Sequence, residues 1–465
     1  MSADLVALDI SSASQLVQKR TVSPVELTEA CLKRIEQLDR QLNSFITVTA
    51  DSALREARQA ETEISQGAWK GPLHGIPLAI KDLVETAGFK TTAASAVLKD
   101  FVPAQDAPIV QRLKAAGAVL LGKLNLHEFA YGGSGMIGHF GVVKNPWNTA
   151  HITGGSSSGS AAAVAAGLCY GAMGTDTAGS IRLPAAFCGI VGLKPSYGLV
   201  STRGVIPLSF SHDHAGPMTR SVTDAALMLQ VIASYDSQDI CSQKFPAVHF
   251  PAAMEEKKIS DLRLATSREF FWKDLDPEIE KAAEDAVALL AGLTAGVRDL
   301  TLPVPADRTV FVCEPYAYHL KYLPDHAHDY HPETLRRISA GTDVTASNYI
   351  EKHQQMQRLR RQILEIFEEI DLLITPACPV LPPTIAELEA APDQLRPTEL
   401  VMLRNTRPFN VWGLPTISIP CGFSHSGLPI GLQITGAPGE EAAVLAMARA
   451  YEEQTDWHTR KPPLS

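Results

Sequence analysis

Gly71-Pro72-Leu73-His74-Gly75-Ile76-Pro77-Leu78-Ala79-Ile80-Lys81-Asp82 is where this 465-residue chain changes character. Residues 76–80 are a short apolar run bounded by glycine and proline, the pattern of a buried strand. The run ends on Lys81, so the strand delivers an amine to one end of a sheet. Downstream, residues 107–116 carry helical spacing and lead into a second apolar run at 118–121. That alternation predicts a parallel or mixed sheet covered by helices. Upstream, Ser23-Pro24-Val25-Glu26 opens a helix: Ser23 caps it, Pro24 suits the first turn and Glu26 completes a capping box. Val25, Leu27, Leu32, Ile35 and Leu38 follow at roughly helical intervals, and a second helix over 51–65 ends at Gly67.

Farther out, residues 131–181 are rich in glycine and serine. They also hold Asn145-Pro146-Trp147 and an alanine-rich helical pattern, which marks loops of a site on a scaffold rather than a linker. Residues 240–345 mix proline, charge and a histidine-rich tract without a clear period. An amphipathic segment over 345–370 runs into a strand at 372–375. Strands at 416–419 and 430–434 flank a turn at Ser426-Gly427, and a helix over 440–453 closes the chain. There is no internal repeat and no obvious linker. The expectation is one α/β domain over 1–465, a mixed sheet with helices on both faces. Within it, 1–70 is a helical segment, 71–217 holds the motifs, and 218–465 supplies the rest of the sheet and the substrate-side loops.

Hydrophobic residues make up 45% and charged residues 20%, enough to build a large core. The net charge of −10 is spread along the chain, which argues against nucleic acid as an obligatory partner. Seven cysteines with no CxxC pair read as reduced thiols, hence a cytoplasmic protein. The start, MSADLVALDI, has no basic residue before its short apolar stretch and is not a signal peptide. No run of about 20 apolar residues occurs, so no membrane span is expected.

Three segments carry chemistry. Burial of Lys81 at a strand end would depress its pKa towards about 7 to 8 and make it a base near neutrality; alone, a strand-end lysine reaching solvent is the commoner case. Gly154-Gly155-Ser156-Ser157-Ser158-Gly159-Ser160 opens the alanine-rich helix. A phosphate cradle is the rival reading, but it lacks the P-loop lysine and the GxGxxG spacing. Gly174-Thr175-Asp176-Thr177-Ala178-Gly179-Ser180-Ile181-Arg182 places a serine after small residues, where backbone N–H groups can converge into an oxyanion hole. The second glycine of a GxSxG elbow is missing. The tract Asp325-His326-Ala327-His328-Asp329-Tyr330-His331 reads mainly as a solvated loop rather than a metal site. His212-Asp213-His214 is a weak candidate for a Ser-His-Asp site.

Taken in order, these segments resemble the amidase signature family. The likeness is densest from Gly71 to about Gly216 and resumes at Pro408-Phe409-Asn410-Val411-Trp412-Gly413-Leu414-Pro415 and Gly427-Leu428-Pro429-Ile430-Gly431-Leu432-Gln433. It implies the amidase signature fold and hydrolysis of carbon–nitrogen bonds through an acyl-enzyme. Ser180 would be the nucleophile, Ser156 a bridging serine after a cis peptide bond, and Lys81 the terminal base. Thr177, Ala178, Gly179 and Ser180 would supply oxyanion donors, with Ser157, Asp176 and Arg182 in support. Ala178 departs from the second glycine of many relatives. Asp176 and Arg182 are expected to brace the loop, the alternative for Arg182 being a substrate carboxylate. No metal or organic cofactor is implied.

Family members divide into free-standing amidases and the glutaminase subunits of tRNA-dependent amidotransferases. In the latter an aspartate stands shortly before the position of Asn410. Here no acid lies nearer than Glu399, and Arg404 and Arg407 intervene. The expectation is therefore a free-standing enzyme, a monomer or homodimer cleaving small carboxamides, anilides or carbamates, like aryl acylamidases or urethanases. The glutaminase subunit is the alternative. Tyr131, Gly133, Met136, Ile137, Phe409 and Trp412 are the candidate pocket residues, and their apolar character predicts neutral, partly aromatic substrates. Arg336-Arg337-Ile338 resembles a stretch near the substrate in some relatives; a surface basic pair is the equal alternative.

Overall fold

The computed structural model describes residues 5–464. Its centre is an eleven-stranded mixed sheet. From one edge to the other the strands are Phe45–Val48, Val119–Leu124, Pro77–Lys81, Gly171–Asp176, His214–Thr219, Val191–Lys194, Thr416–Phe423, Pro429–Gly436, Leu372–Pro376, Leu264–Thr266 and Val297–Asp299. Pro77–Lys81 pairs in parallel with both of its neighbours, and the five strands from His214–Thr219 to Leu372–Pro376 pair antiparallel. The chain is a single large α/β domain, as its strand and helix alternation predicts.

Pro77–Lys81 is buried at every position, which is why its apolar run is continuous rather than alternating. Lys81 closes this strand, and Asp176 closes the parallel strand beside it. Both side chains thus stand at the carboxyl ends of parallel strands, where open α/β sheets place their ligands. The alanine-rich segment forms the helix Ser158–Ala165, buried from Ser158 to Val164. Its small residues allow close packing. A Cβ on Gly159 would lie 2.4 Å from the Ser44 carbonyl oxygen and 2.6 Å from the Asn125 backbone, so only glycine fits.

The helix Pro24–Leu42 begins as read: Ser23 Oγ accepts from Val25 and Glu26 N–H, and Glu26 accepts from Ser23 N–H. The helices Ala50–Ser65, Pro108–Ala115, Ala346–Ile366 and Glu441–Glu453 also lie where the periodicity places them. The 1–70 segment is not wholly helical. Phe45–Val48 leaves it to form the sheet edge against Val119–Leu124. Between 240 and 345 the longest helices are Pro277–Leu293 and Thr309–His319, and two short strands lie at the far edge of the sheet. Apolar residues from the sheet and both helical layers merge into one core. Among the described residues no helix is long and apolar enough to cross a membrane, and all seven cysteines are unpaired.

Candidate active site

Lys81 is fully buried. Its Nζ lies 2.8 Å from Ser156 Oγ, 2.9 Å from Ser157 Oγ and 2.8 Å from Thr175 Oγ1. Among the described residues no carboxylate stands within ion-pair distance of it. Burial pushes the amine down to about 7, against the upward pull of Asp176 and Asp213. A lysine held by hydroxyls alone in a dry site is a base at neutral pH. Ser157 also accepts from Thr175 N–H and donates to the Thr175 carbonyl, locking the strand end against the serine loop. The peptide bond Gly155–Ser156 is cis.

The loop after strand Gly171–Asp176 is built around Asp176. Arg182 donates to both of its carboxylate oxygens at 3.0 Å. Gly179 and Ile181 N–H add further bonds, and Asn410 Nδ2 adds another. Burial alone would raise this carboxyl, but Arg182, Lys194 and Asn410 hold it well below the usual carboxylate range. Arg182 also donates to Gln433 Oε1 and Asn410 Oδ1. It is fully buried, so it is a brace and cannot reach a substrate carboxylate. Gly179 stands at φ +134° with its missing Cβ facing Thr406, which no other residue would tolerate.

This geometry corrects the expected oxyanion set. The Gly179 N–H is already given to Asp176 at 2.8 Å. The N–H groups left without a protein acceptor among the described residues are those of Thr177, Ala178 and Ser180. These three residues line a cavity of about 360 Å³. Thr177 is fixed from behind by its hydroxyl, which donates to Asp213 at 2.6 Å. Asp213 also accepts from Leu208 and Ser209 N–H, and burial pushes its carboxyl up to about 7. His212-Asp213-His214 therefore supports the loop.

Of the expected pocket residues only Tyr131 lines the cavity. Gly133 lies behind it, its carbonyl accepting from Gly155 N–H. Farther along the same loop, Met136 packs against the core and Ile137 is buried, and neither lines the cavity. Phe409 and Trp412 face inward from the short helix Pro408–Trp412, fully buried. Phe409 stacks on Phe271 at 5.4 Å, and Trp412 packs edge-on against Phe409. A five-residue helix gives no periodic signal by which to choose its inward face, so the expectation that these rings face a substrate fails.

The wall is mixed: Arg308, Arg396, Arg404 and Arg407 line the cavity among apolar residues that include Phe270, Phe311, Leu208 and Leu403. The expectation of an uncharged wall is thus corrected, and the aromatic surface comes from Tyr131, Phe270 and Phe311 rather than from Phe409 and Trp412. Arg404 and Arg407 are visible in sequence beside Asn410, whereas Arg308 and Arg396 come from segments without a motif. Glu399 is buried outside the cavity, 2.7 Å from Arg337 and 3.2 Å from Arg396. Arg337 is buried in this network and Arg336 is exposed, so neither lines the cavity. In the histidine tract, His326 pairs with Asp329 at the surface. Among the described residues no group of three metal-ligating side chains is arranged to hold an ion.

A lysine hydrogen-bonded to a serine at the carboxyl end of a mixed sheet, beside a second serine among free backbone N–H groups, defines a hydrolase of the α/β class. Comparison with known proteins makes this specific. The Amidase family model matches residues 26–445, and the chain belongs to that family. It is a hydrolase acting on carbon–nitrogen bonds other than peptide bonds. The A-subunit of the glutamyl-tRNA(Gln) amidotransferase of Geotalea daltonii is 40% identical, covering 99% of this chain and 100% of the relative. Its counterpart from Methylococcus capsulatus is 42% identical over 96% of each chain. The solved structure of 6-aminohexanoate cyclic dimer hydrolase complexed with substrate superposes with a TM-score of 0.90, at 31% identity, over 98% of this chain and 99% of that one. The full-length likeness to the amidotransferase subunits overturns two expectations, the free-standing amidase of small neutral amides and carbamates, and the monomer or homodimer with only a small-molecule partner. Both rest on the missing acid before Asn410, and one position weighs less than identity along the whole chain.

Proposed function

We propose that this chain is the amide-splitting glutaminase subunit of a tRNA-dependent amidotransferase, releasing ammonia from an amide such as glutamine for use by partner subunits. The observation that carries the reading is the 40% identity that spans 99% of this chain and all of the relative. The site supports it with the parts that amide cleavage needs. Neutral Lys81 accepts the proton of Ser156 as Ser156 accepts that of Ser180, and Ser180 Oγ bonds to the amide carbon. The oxyanion forms against Thr177, Ala178 and Ser180 N–H, where a lost donor typically costs about 10²–10³ in rate. The relay returns the proton to the nitrogen, the C–N bond breaks and ammonia leaves. Water, deprotonated by the same relay, then releases the acid from Ser180. The arginines of the cavity give the acid end of glutamine its counter-charge. Seven free thiols suit work in a reducing cytoplasm.

The test is reconstitution. Tagged chain expressed in its native host should co-purify with the other components of the amidotransferase, identified by mass spectrometry. Adding them to the pure chain should raise ammonia release from glutamine at least about tenfold and yield amidated tRNA. A chain that elutes alone and gains nothing from those components refutes the proposal.

A further inference from the structure

One wall of the Ser180 cavity is held from behind by a buried carboxylate. Glu399, on the helix Pro392–Met402, is fully buried and lies outside the cavity. It accepts from Ser134 Oγ at 2.7 Å and from Ser134 N–H at 3.3 Å. It also accepts from Arg396 Nη1 at 3.2 Å and lies 2.7 Å from Arg337 Nη1. Arg337 Nη1 in turn donates to the Tyr131 carbonyl at 2.5 Å, and the Arg396 guanidinium stands over the Tyr131 ring at 5.6 Å. Tyr131 and Arg396 both line the cavity with Thr177, Ala178 and Ser180.

Backbone and packing contacts fix this wall relative to the nucleophile. The Gly133 carbonyl accepts from Gly155 N–H at 2.8 Å, and His127 N–H donates to the Ser156 carbonyl at 3.1 Å. Leu403, whose N–H donates to the Glu399 carbonyl, packs against both Gly133 and Gly179. A Cβ on these glycines would lie 3.0 and 3.1 Å from the Leu403 side chain. Glu399 is thus one helical turn from a side chain that touches the loop carrying Ser180.

The charges of the network do not cancel. Arg336, Arg337 and Arg396 share Glu333 and Glu399, which leaves one positive charge in excess. His127, 3.7 Å from Glu399, adds none, because burial pushes its imidazole down to about 3. Arg396 is the one charged member of this network that lines the cavity. A guanidinium tethered through one N–H keeps its other donors aimed in a fixed direction, which suits recognition of a planar carboxylate.

We infer that Glu399 is a positioning residue for substrate binding: it holds Arg396 and the Tyr131 loop as a wall that receives the carboxylate of the amide substrate. This rests on the preceding reading of the Ser180 cavity as the glutamine site, and it names the residue that aims one of its arginines.

The experiment compares two readouts on the full-length chain. Calorimetry in a Ser180→Ala background, where ligand binds without turnover, measures glutamine; Glu399→Gln should weaken it at least about tenfold. Arg396→Gln should cause a similar loss, and adding Glu399→Gln to it should cost less than about threefold more, because Glu399 acts through Arg396. With Ser180 intact, the rate of inactivation by phenylmethylsulfonyl fluoride, an uncharged reagent for activated serines, should change less than about threefold in Glu399→Gln. If that variant does not fold, Glu399→Gln with Arg337→Gln removes one charge of each sign and should show the same split. Unchanged glutamine affinity, inactivation that slows in step with binding, additive losses, or no glutamine binding with Glu399 present would each overturn the inference. A chain that assembles with partners and binds glutamine regardless of Glu399 refutes only this inference. A chain whose glutamine binding depends on Glu399 but which gains nothing from partners refutes only the amidotransferase reading.

Discussion

Replacing Lys81 by methionine removes the amine, keeps the length of the stem and leaves the surrounding hydroxyls in place. An ordinary lysine titrates near 10.4, whereas burial pushes Lys81 down to about 7. The folded-state value is the lower one, so between these limits the unfolded chain holds more protons and stability rises with pH. Below pH 7 the folded protein carries the full cost of the buried amine, about 4–5 kcal/mol at about 1.36 kcal/mol per pKa unit. Between pH 7 and pH 9 that cost relaxes by about 2 kcal/mol. Urea unfolding of wild type and Lys81→Met at the two pH values isolates the effect, because other groups titrate alike in both proteins. Wild type should gain about 2 kcal/mol on the variant over this interval, while the variant is folded and inactive. A difference that stays constant within about 0.5 kcal/mol would show that Lys81 is not the depressed group, and the neutral-lysine chemistry would fall with it.

Ser180→Ala should lower kcat/KM by about 10⁴ or more with unchanged circular dichroism, and retention of a tenth of the wild-type rate would remove it as nucleophile. Trp412→Ala should cost about 3–5 kcal/mol in urea unfolding, because its ring is fully buried beside Phe409. KM should change less than about threefold, since Trp412 does not line the cavity; a large KM effect with little loss of stability would return it to the pocket.

Most of the fold is legible in the sequence because its signals are local. Capping at Ser23 and Glu26, the apolar run ending on Lys81 and the long amphipathic segment before Leu372 each depend on neighbours a few residues away. The strand Phe45–Val48 is not legible, because four residues between two strong helices give no period of their own, and its pairing with Val119–Leu124 is a distant contact. The meeting of Lys81 with Ser156 is readable from motifs, whereas its bonds to Ser157 and Thr175 are not. The cavity wall is not: Arg308 and Arg396 converge only through the packing of distant segments. The single glutamine-site position is legible too, and it misleads. Its missing acid points to a change of enzyme, although the rest of the chain keeps the likeness to the amidotransferase subunits.

The proximity of Lys81 to Asp176 raises the question of why the lysine is not held charged. Both end adjacent parallel strands, and Asp176 is the largest upward influence on the Lys81 pKa after burial has lowered it. The answer lies in Arg182, whose guanidinium pairs with both oxygens of Asp176. The carboxylate is thereby neutralised by a cation other than the catalytic one, leaving Lys81 with three hydroxyl partners. Arg182→Gln uncovers the field of Asp176, so the ascending limb of kcat/KM should move up from near pH 7 by about one unit. Breaking a buried pair should also cost about 3–5 kcal/mol, so the profile is best measured at low temperature. Asp213→Asn removes the other carboxylate that raises Lys81 and keeps the shape of the side chain. Its limb should therefore move to lower pH. Opposite shifts in the two variants are what a neutral lysine governed by this charge balance requires. Unmoved limbs, or limbs that move the same way, would mean that another group sets the pH dependence.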